Sequence, residues 1–153
     1  MQVELATPEI IPAWVQLARE VEPLFEGRMT EDKDFHEFMR RKITQREAFI
    51  IARDKSHSNE LLGLIAVSHK NNAISWLAVF EKYRRKGIGS VLLAHAIKDL
   101  DQNREIIVTT FREDNKEGLP ARLLYQKFGF RDFDVNAVHD GHPRSIMKRP
   151  PQI

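Results

Sequence analysis

The residues best equipped for chemistry stand together between Lys82 and Ser90, where Lys82, Arg84, Arg85 and Lys86 run into Gly87-Ile88-Gly89. Positive charge beside a glycine pair suits an anion, and a cluster this dense suits a polyphosphate better than a single carboxylate. Glycines without β-carbons let backbone N–H groups come close to such a ligand. Further along, Tyr125 places a phenol in an apolar helical pattern, and His139-Asp140-Gly141-His142 holds two imidazoles and a carboxylate. With no clear further ligand on that turn, the donors are too few for a metal site. Singly, each feature has a plain reading: glycine pairs make turns, basic runs make solvated faces, and a helical tyrosine packs in a core. Their joint occurrence is what points to a ligand.

The elements that must hold these residues are legible around them. Ile74 to Phe80 is short, apolar and partly β-branched or aromatic, bounded by Asn71-Asn72 and Glu81-Lys82, which predicts a buried strand. Ile88, Val91, Leu92, His95 and Ala96 recur at helical spacing, with Leu93, Ile97 and Leu100 widening the stripe, which predicts a helix over 87–103. The basic glycine turn therefore sits at a helix N-terminus, whose unsatisfied N–H donors favour a negative ligand. It is not a Walker A loop, because Ser90-Val91 follows Gly89 where Lys-Ser or Lys-Thr is needed. A dinucleotide fingerprint is a poor match as well, with Leu92 in place of the third glycine and Thr109 and Thr110 in place of the acidic residue.

Composition bounds the classes. A chain of 153 residues has room for one domain with a good core, so a single domain over 1–153 is expected. Apolar residues make up 42% and charged residues 30%, as in an ordinary globular protein. There is no cysteine, which excludes disulfides, thiolate metal ligands and a cysteine nucleophile and fits a reducing cytoplasm. No apolar run reaches the roughly 18 residues of a membrane span, and MQVELATPEI has no signal pattern. A soluble cytoplasmic protein is expected. The formal net charge is only +2, too slight for a nucleic-acid surface.

Elsewhere, Val3 to Ala6 alternates like a first strand. Thr7 should cap a helix over Pro8–Arg19, after which Pro23 and Gly27 should break the chain. Thr30-Glu31-Asp32 begins a second helix carrying Phe35, Phe38, Met39 and Ile43. Ala48–Arg53, Leu61–His69 and Ile74–Phe80 read as an antiparallel meander, the first pair joined by a polar turn over 54–60. Ile106–Phe111 reads as a strand beside the loop-bearing one, and Gly118 to Phe128 as a helix. Arg131–Asn136 and Ser145–Lys148 read as closing strands separated by a loop at 139–143.

Two stretches resemble one known family. Arg84-Arg85-Lys86-Gly87-Ile88-Gly89 fits in order the pyrophosphate loop of the GNAT acyl-CoA N-acyltransferases. Ala121 to Phe130, ARLLYQKFGF, is similar to that family's later helix with its Gly-Phe turn. The resemblance implies an α+β fold: a mixed, mostly antiparallel sheet of about seven strands, split between the fourth and fifth, with flanking helices. It implies acetyl-CoA as cosubstrate, held by Arg84, Arg85, Lys86, Gly87, Ile88, Gly89 and Ser90 and by main-chain contacts from Leu77 and Val79 to the pantetheine arm. It also implies an amine-bearing acceptor, no metal and no nucleic acid; a homodimer is left open. Tyr125 matches the family's tyrosine that protonates the CoA sulfur.

This sequence departs from the pattern in places. Ser75 stands where many members carry an acidic residue, so Glu81, His69 and His36 are the candidates for a base, and transfer of the amine proton to water is the alternative. Gly118 occupies a helix-start position often filled by a CoA-contacting asparagine, which leaves Asn115 to substitute. Residues 22–39 are expected to wall the acceptor pocket or, equally, to be plain core. A GNAT-fold module that binds acyl-CoA with little chemistry is the second functional reading.

Overall fold

The apolar run around Ile74 is a strand, and the rest of the sheet is built outward from it. The computed structural model describes residues 1–25, 28–53 and 60–152. In chain order the elements are β1 (Val3–Leu5), α1 (Ile11–Phe25), α2 (Lys33–Thr44), β2 (Ala48–Ala52), β3 (Leu61–Ser68), β4 (Ala73–Val79), α3 (Ile88–Asp99), β5 (Ile106–Thr110), α4 (Leu119–Lys127), β6 (Arg131–Asp134), β7 (Val138–His139), β8 (His142–Pro143) and β9 (Ser145–Arg149). A seven-stranded sheet runs in the order β1-β2-β3-β4-β5-β9-β6, antiparallel except where β4 lies beside β5.

Helices cover both faces of β2 to β4, which is why AFIIA and LLGLIAVS are nearly unbroken apolar runs. On one face α1 and α2 bring Trp14, Leu17, Ala18 and Met39 against Ile50, Leu64 and Ala66. On the other, α3 brings Ile88, Leu92, Leu93, Ala96 and Ile97 against Ile51, Ile65 and Val67, with Tyr125 and Phe130 closing the end.

The sheet is split between β4 and β5, and the cause is local. Val67 opposes Ile74 but Ala66 opposes Trp76, so Ser75 is an extra residue bulged out of β4. A bulge bends its strand and sharpens the twist. The parallel pairing with β5 is confined to Ala73↔Ile107 and Ile74↔Val108, and it ends where the bulge begins. Beyond that point the two strands run on toward their C-termini without pairing.

Several sequence expectations are corrected. Pro23 does not break the chain but lies inside α1, which runs to Phe25 rather than Arg19. So near the C-terminus a proline removes one helical bond, and the buried stripe of Trp14, Leu17, Ala18 and Val21 holds the rest. Thr7 makes no side-chain cap; its hydroxyl donates to Glu9 instead. The third helix stops at Asp99 rather than 103, because Asn72 captures the chain beyond it: its Oδ1 accepts from Asp101 N–H at 2.9 Å and its Nδ2 donates to the carbonyls of Asp101 and Glu105. The first closing strand ends at Asp134, and the expected loop at 139–143 is part of the β7–β8 hairpin. Gly27 and the turn at 54–59 lie outside the described residues.

Candidate active site

The basic glycine turn ends as a helix N-terminus facing the split. Gly87 adopts φ +80 and is the N-cap of α3, with no side chain satisfying the first amides of the helix. The geometry refines why the glycines are there. An added β-carbon at Gly87 would meet nothing within 4 Å, so this position needs glycine for its left-handed backbone. At Gly89 it would come within 3.2 Å of a Leu124 methyl, so that glycine lets α3 approach α4. Arg85 is also left-handed, at φ 66. Lys82 and Lys86 lie over the Tyr83 ring, at 5.0 and 5.9 Å from its centroid, and the Tyr83 hydroxyl donates to Glu60 at 2.6 Å. That hydrogen bond holds the Glu60 carboxyl below its ordinary value. Glu20 of α1 ties the start of the loop by accepting from Glu81 N–H at 2.9 Å. A further cation, not singled out in the sequence, comes from the end of α4: Lys127 Nζ lies 3.4 Å from Ser90 Oγ.

The edge of β4 that faces the split carries open main-chain groups. Phe80 N–H donates to Leu62 O at 3.0 Å, so the narrow pairs of the β3–β4 ladder fall on Phe80, Ala78 and Trp76. The alternating residues Leu77 and Val79 therefore turn their N–H and C=O groups toward β5. Arg84 Nε donates to Val79 O at 3.2 Å, and the other groups of this pair have no partner among the described residues. An unpaired strand edge of this kind offers its donors and acceptors to a strand-like partner.

Tyr125 lies at the far wall, packed edge to face on Phe130 with centroids 5.6 Å apart. Burial pushes its phenol pKa up, so the hydroxyl stays protonated. Among the described residues, the fully buried polar side-chain atoms lacking partners are Trp14 Nε1 and one Arg149 nitrogen. The Tyr125 oxygen, also without a partner, therefore reaches the surface. Asn115 spends its side-chain oxygen on Gly118 N–H at 3.1 Å, which leaves only its Nδ2 hydrogens available.

The base candidates separate. His69 follows β3 at the closed end of the split, where its Nε2 meets Asp99 Oδ2 at 2.6 Å. Asp99 ends α3 and Gly87 begins it, so about 18 Å of helix separates His69 from the anion turn. His69 is thus engaged by Asp99 and set apart from the basic glycine turn. His36 Nε2 contacts Thr30 O at 2.8 Å on the α2 side, and Glu81 is exposed at the start of the loop. Sequence reasoning missed a cluster at the open end of the split. Phe111, just beyond β5, packs at a tilt on Phe25 at the end of α1 with centroids 5.0 Å apart, and the Arg144 guanidinium lies over both rings. Gly118 is explained there too, since an added β-carbon would sit 2.3 Å from the Phe111 ring.

A family model described as an acetyltransferase (GNAT) domain matches residues 45–132, more than half of the chain. The chain belongs to the GNAT family. Among curated proteins it is 33% identical over 106 residues to an N-alpha-acetyltransferase of Saccharolobus solfataricus, and 32% identical over the same length to one of Sulfurisphaera tokodaii. Each match covers 67% of this chain and 61% of the relative, so the chain spans about three fifths of the length of the curated relatives it matches. The GNAT fold recurs in Arabidopsis thaliana NAA60 solved with acetyl-CoA, at TM-score 0.69 and 18% identity over 96% of both chains. It recurs as well in Ard1 from Thermoplasma volcanium, at TM-score 0.71 and 20% identity over 97% of this chain and 95% of that one. In this GNAT chain the basic glycine turn, the split and the helix carrying Tyr125 are all present. No helix among the described residues is long and apolar enough to cross a membrane, and no group of three or more potential metal ligands occurs among them.

Proposed function

We propose that this chain is an acyl-CoA-dependent N-acyltransferase, moving an acetyl group from acetyl-CoA to a primary amine by direct attack. One arrangement carries the reading: the open main-chain edge at Leu77 and Val79 leads from the anion-binding turn toward Tyr125. The fit to CoA rests on those unsatisfied backbone groups. Leu77 and Val79 would pair with the amides of a pantetheine arm as a strand would, and the Gly87–Ser90 amides with Arg84, Arg85 and Lys86 would take the diphosphate. Bound acetyl-CoA supplies a thioester carbonyl to the attacking amine.

The remaining roles belong to this chain. A Val79 N–H directed into the split would stabilise the oxygen as negative charge develops on it. The new C–N bond forms as the C–S bond breaks, and Tyr125 would hand its proton to the departing thiolate. The amine proton leaves through water, and the phenol regains a proton from the same source. The two N-alpha-acetyltransferases among the relatives favour a protein α-amine as the acceptor.

The test has two arms. Acetyl-CoA should raise the melting temperature by mass action, and an amine panel of N-terminal peptides and small amines should release free CoA. Stabilisation without release from any amine would leave an acyl-CoA-binding module and overturn the enzyme reading. Absence of both would overturn CoA binding itself.

A further inference from the structure

The cluster at the open end of the split holds an imbalance of charge. Arg144 is only 6% exposed, yet among the described residues it has no carboxylate partner. Its guanidinium is held by the π faces of Phe25 and Phe111, 5.9 and 5.4 Å from their centroids, and by two main-chain carbonyls, Pro143 O at 2.7 Å and Phe25 O at 3.4 Å. Next to it, Arg112 likewise donates only to carbonyls, those of Arg144 and Ala137. The nearby carboxylate, Asp132, is already engaged by both terminal nitrogens of Arg122 and by the Ser145 hydroxyl. Among the described residues, then, neither the buried Arg144 nor the part-buried Arg112 has a carboxylate partner. An enclosed unpaired charge is costly, and stacking on rings offsets only part of the cost.

Position decides what would supply the missing charge. Phe111 follows β5 directly, at the end where β5 has separated from β4, and Phe25 ends the helix packed over β4's other face. Arg144 therefore lies where an acceptor would enter, away from the diphosphate turn at the start of α3. The two rings, with centroids 5.0 Å apart, lie on the same side of the guanidinium, and the N–H donors not spent on Pro143 O and Phe25 O are left for a planar carboxylate.

We propose that Arg144, supported by Arg112, selects acceptors that carry a carboxylate close to the reacting amine, either an acidic side chain at a peptide N-terminus or the carboxylate of a free amino acid. This rests on the acyl-transfer reading. CoA release is measured for peptide pairs differing only as Asp against Asn or Glu against Gln in the first three residues, and for free glutamate against glutamine and their α-amides. The wild-type protein should prefer the carboxylate member by roughly 10- to 100-fold in kcat/KM, the range of a charge-assisted hydrogen bond. The side-chain and α-carboxylate series tell the two sources apart.

Arg144→Met keeps an apolar stem against the rings and should bring each pair to near parity by slowing the acidic member, with the acetyl-CoA-dependent thermal shift unchanged. Arg144→Lys, a point charge without the fork, should retain part of the preference. A purely structural arginine would instead slow every acceptor alike and lower the melting temperature. Equal wild-type rates for acid and amide, or a preference that survives Arg144→Met, would overturn the inference while leaving acyl transfer intact. No release from any amine would sink both.

Discussion

At the residue scale, Tyr125 and Gly118 make opposite kinds of demand. The phenol is buried, and its raised pKa keeps the proton in place past the ordinary tyrosine value of 10.0. Tyr125→Phe should lower kcat by roughly 100-fold, within the usual range for a positioned acid, with an unchanged acetyl-CoA thermal shift. In the wild type, kcat should not fall on the alkaline side near pH 10, as it would if the phenol ionised normally. Gly118 answers to packing alone. Gly118→Ala pushes a methyl into the Phe111 ring and should cost about 1–3 kcal/mol in urea unfolding. In the sequence, Gly118 reads as a lost contact to CoA; its reason is a ring that arrives from β5, and no local pattern announces that. Arg144 was silent for the same cause, because a lone arginine before a strand acquires its meaning from Phe25 and Phe111, which are distant in sequence. The glycine turn and Tyr125 were legible because a strand, a turn and a helix start carry their own signals within a few residues.

Among elements, the decisive device is the bulge at Ser75, which ends β4–β5 pairing and aims Leu77 and Val79 into the gap. The alternation of β4 is visible in the sequence, but an extra residue shows only once its partner strand is in register. What then holds the far side of the gap is Arg122 of α4, bound to Asp132 of β6 and to Phe111 O, with Ser145 of β9 on the same carboxylate. This clip joins α4, β6, β9 and the end of β5. Hydrogen bonding from the Arg122 guanidinium first, then from the Ser145 hydroxyl, with the Arg122 charge last, holds the Asp132 carboxyl below the ordinary 3.8 against the opposing effect of burial. A depressed carboxyl contributes stability that is fully present above its unfolded value and is lost as pH falls through the folded one. Acid unfolding should thus take part of its slope from this pair below about pH 4. Asp132→Asn leaves Arg122 buried without its charge partner and should cost about 3 kcal/mol, while flattening stability against pH in that window. A variant with an unchanged acid limb would show that the pair carries none of it.

Over the whole molecule, two sets of strands share one core beneath α3 but are hydrogen-bonded to each other only along a short seam. β1 to β4 are sandwiched between α1–α2 and α3, while β5, β9 and β6 carry α4, and the seam between the two sets is paired at only two register positions, Ala73↔Ile107 and Ile74↔Val108. A ligand lying in the gap would bridge both sets of strands, so binding should register as global stability rather than as local order. At a concentration of 100 times Kd the gain is about 2.7 kcal/mol, and for a chain of this size that is a rise in Tm of about 5–11 °C. Arg84 should set much of it, since it stands at the turn proposed to hold the diphosphate and also covers Val79 O. Arg84→Glu should weaken binding by at least roughly tenfold, one charge-assisted contact replaced by repulsion, and at fixed ligand should remove about 1.4 kcal/mol of the gain. The unliganded Tm should hardly move, because Arg84 is exposed and makes no ion pair among the described residues. Differential scanning fluorimetry with and without acetyl-CoA reads both quantities at once. An undiminished shift in Arg84→Glu would move the diphosphate away from this turn, and the Leu77 and Val79 edge would then need another partner.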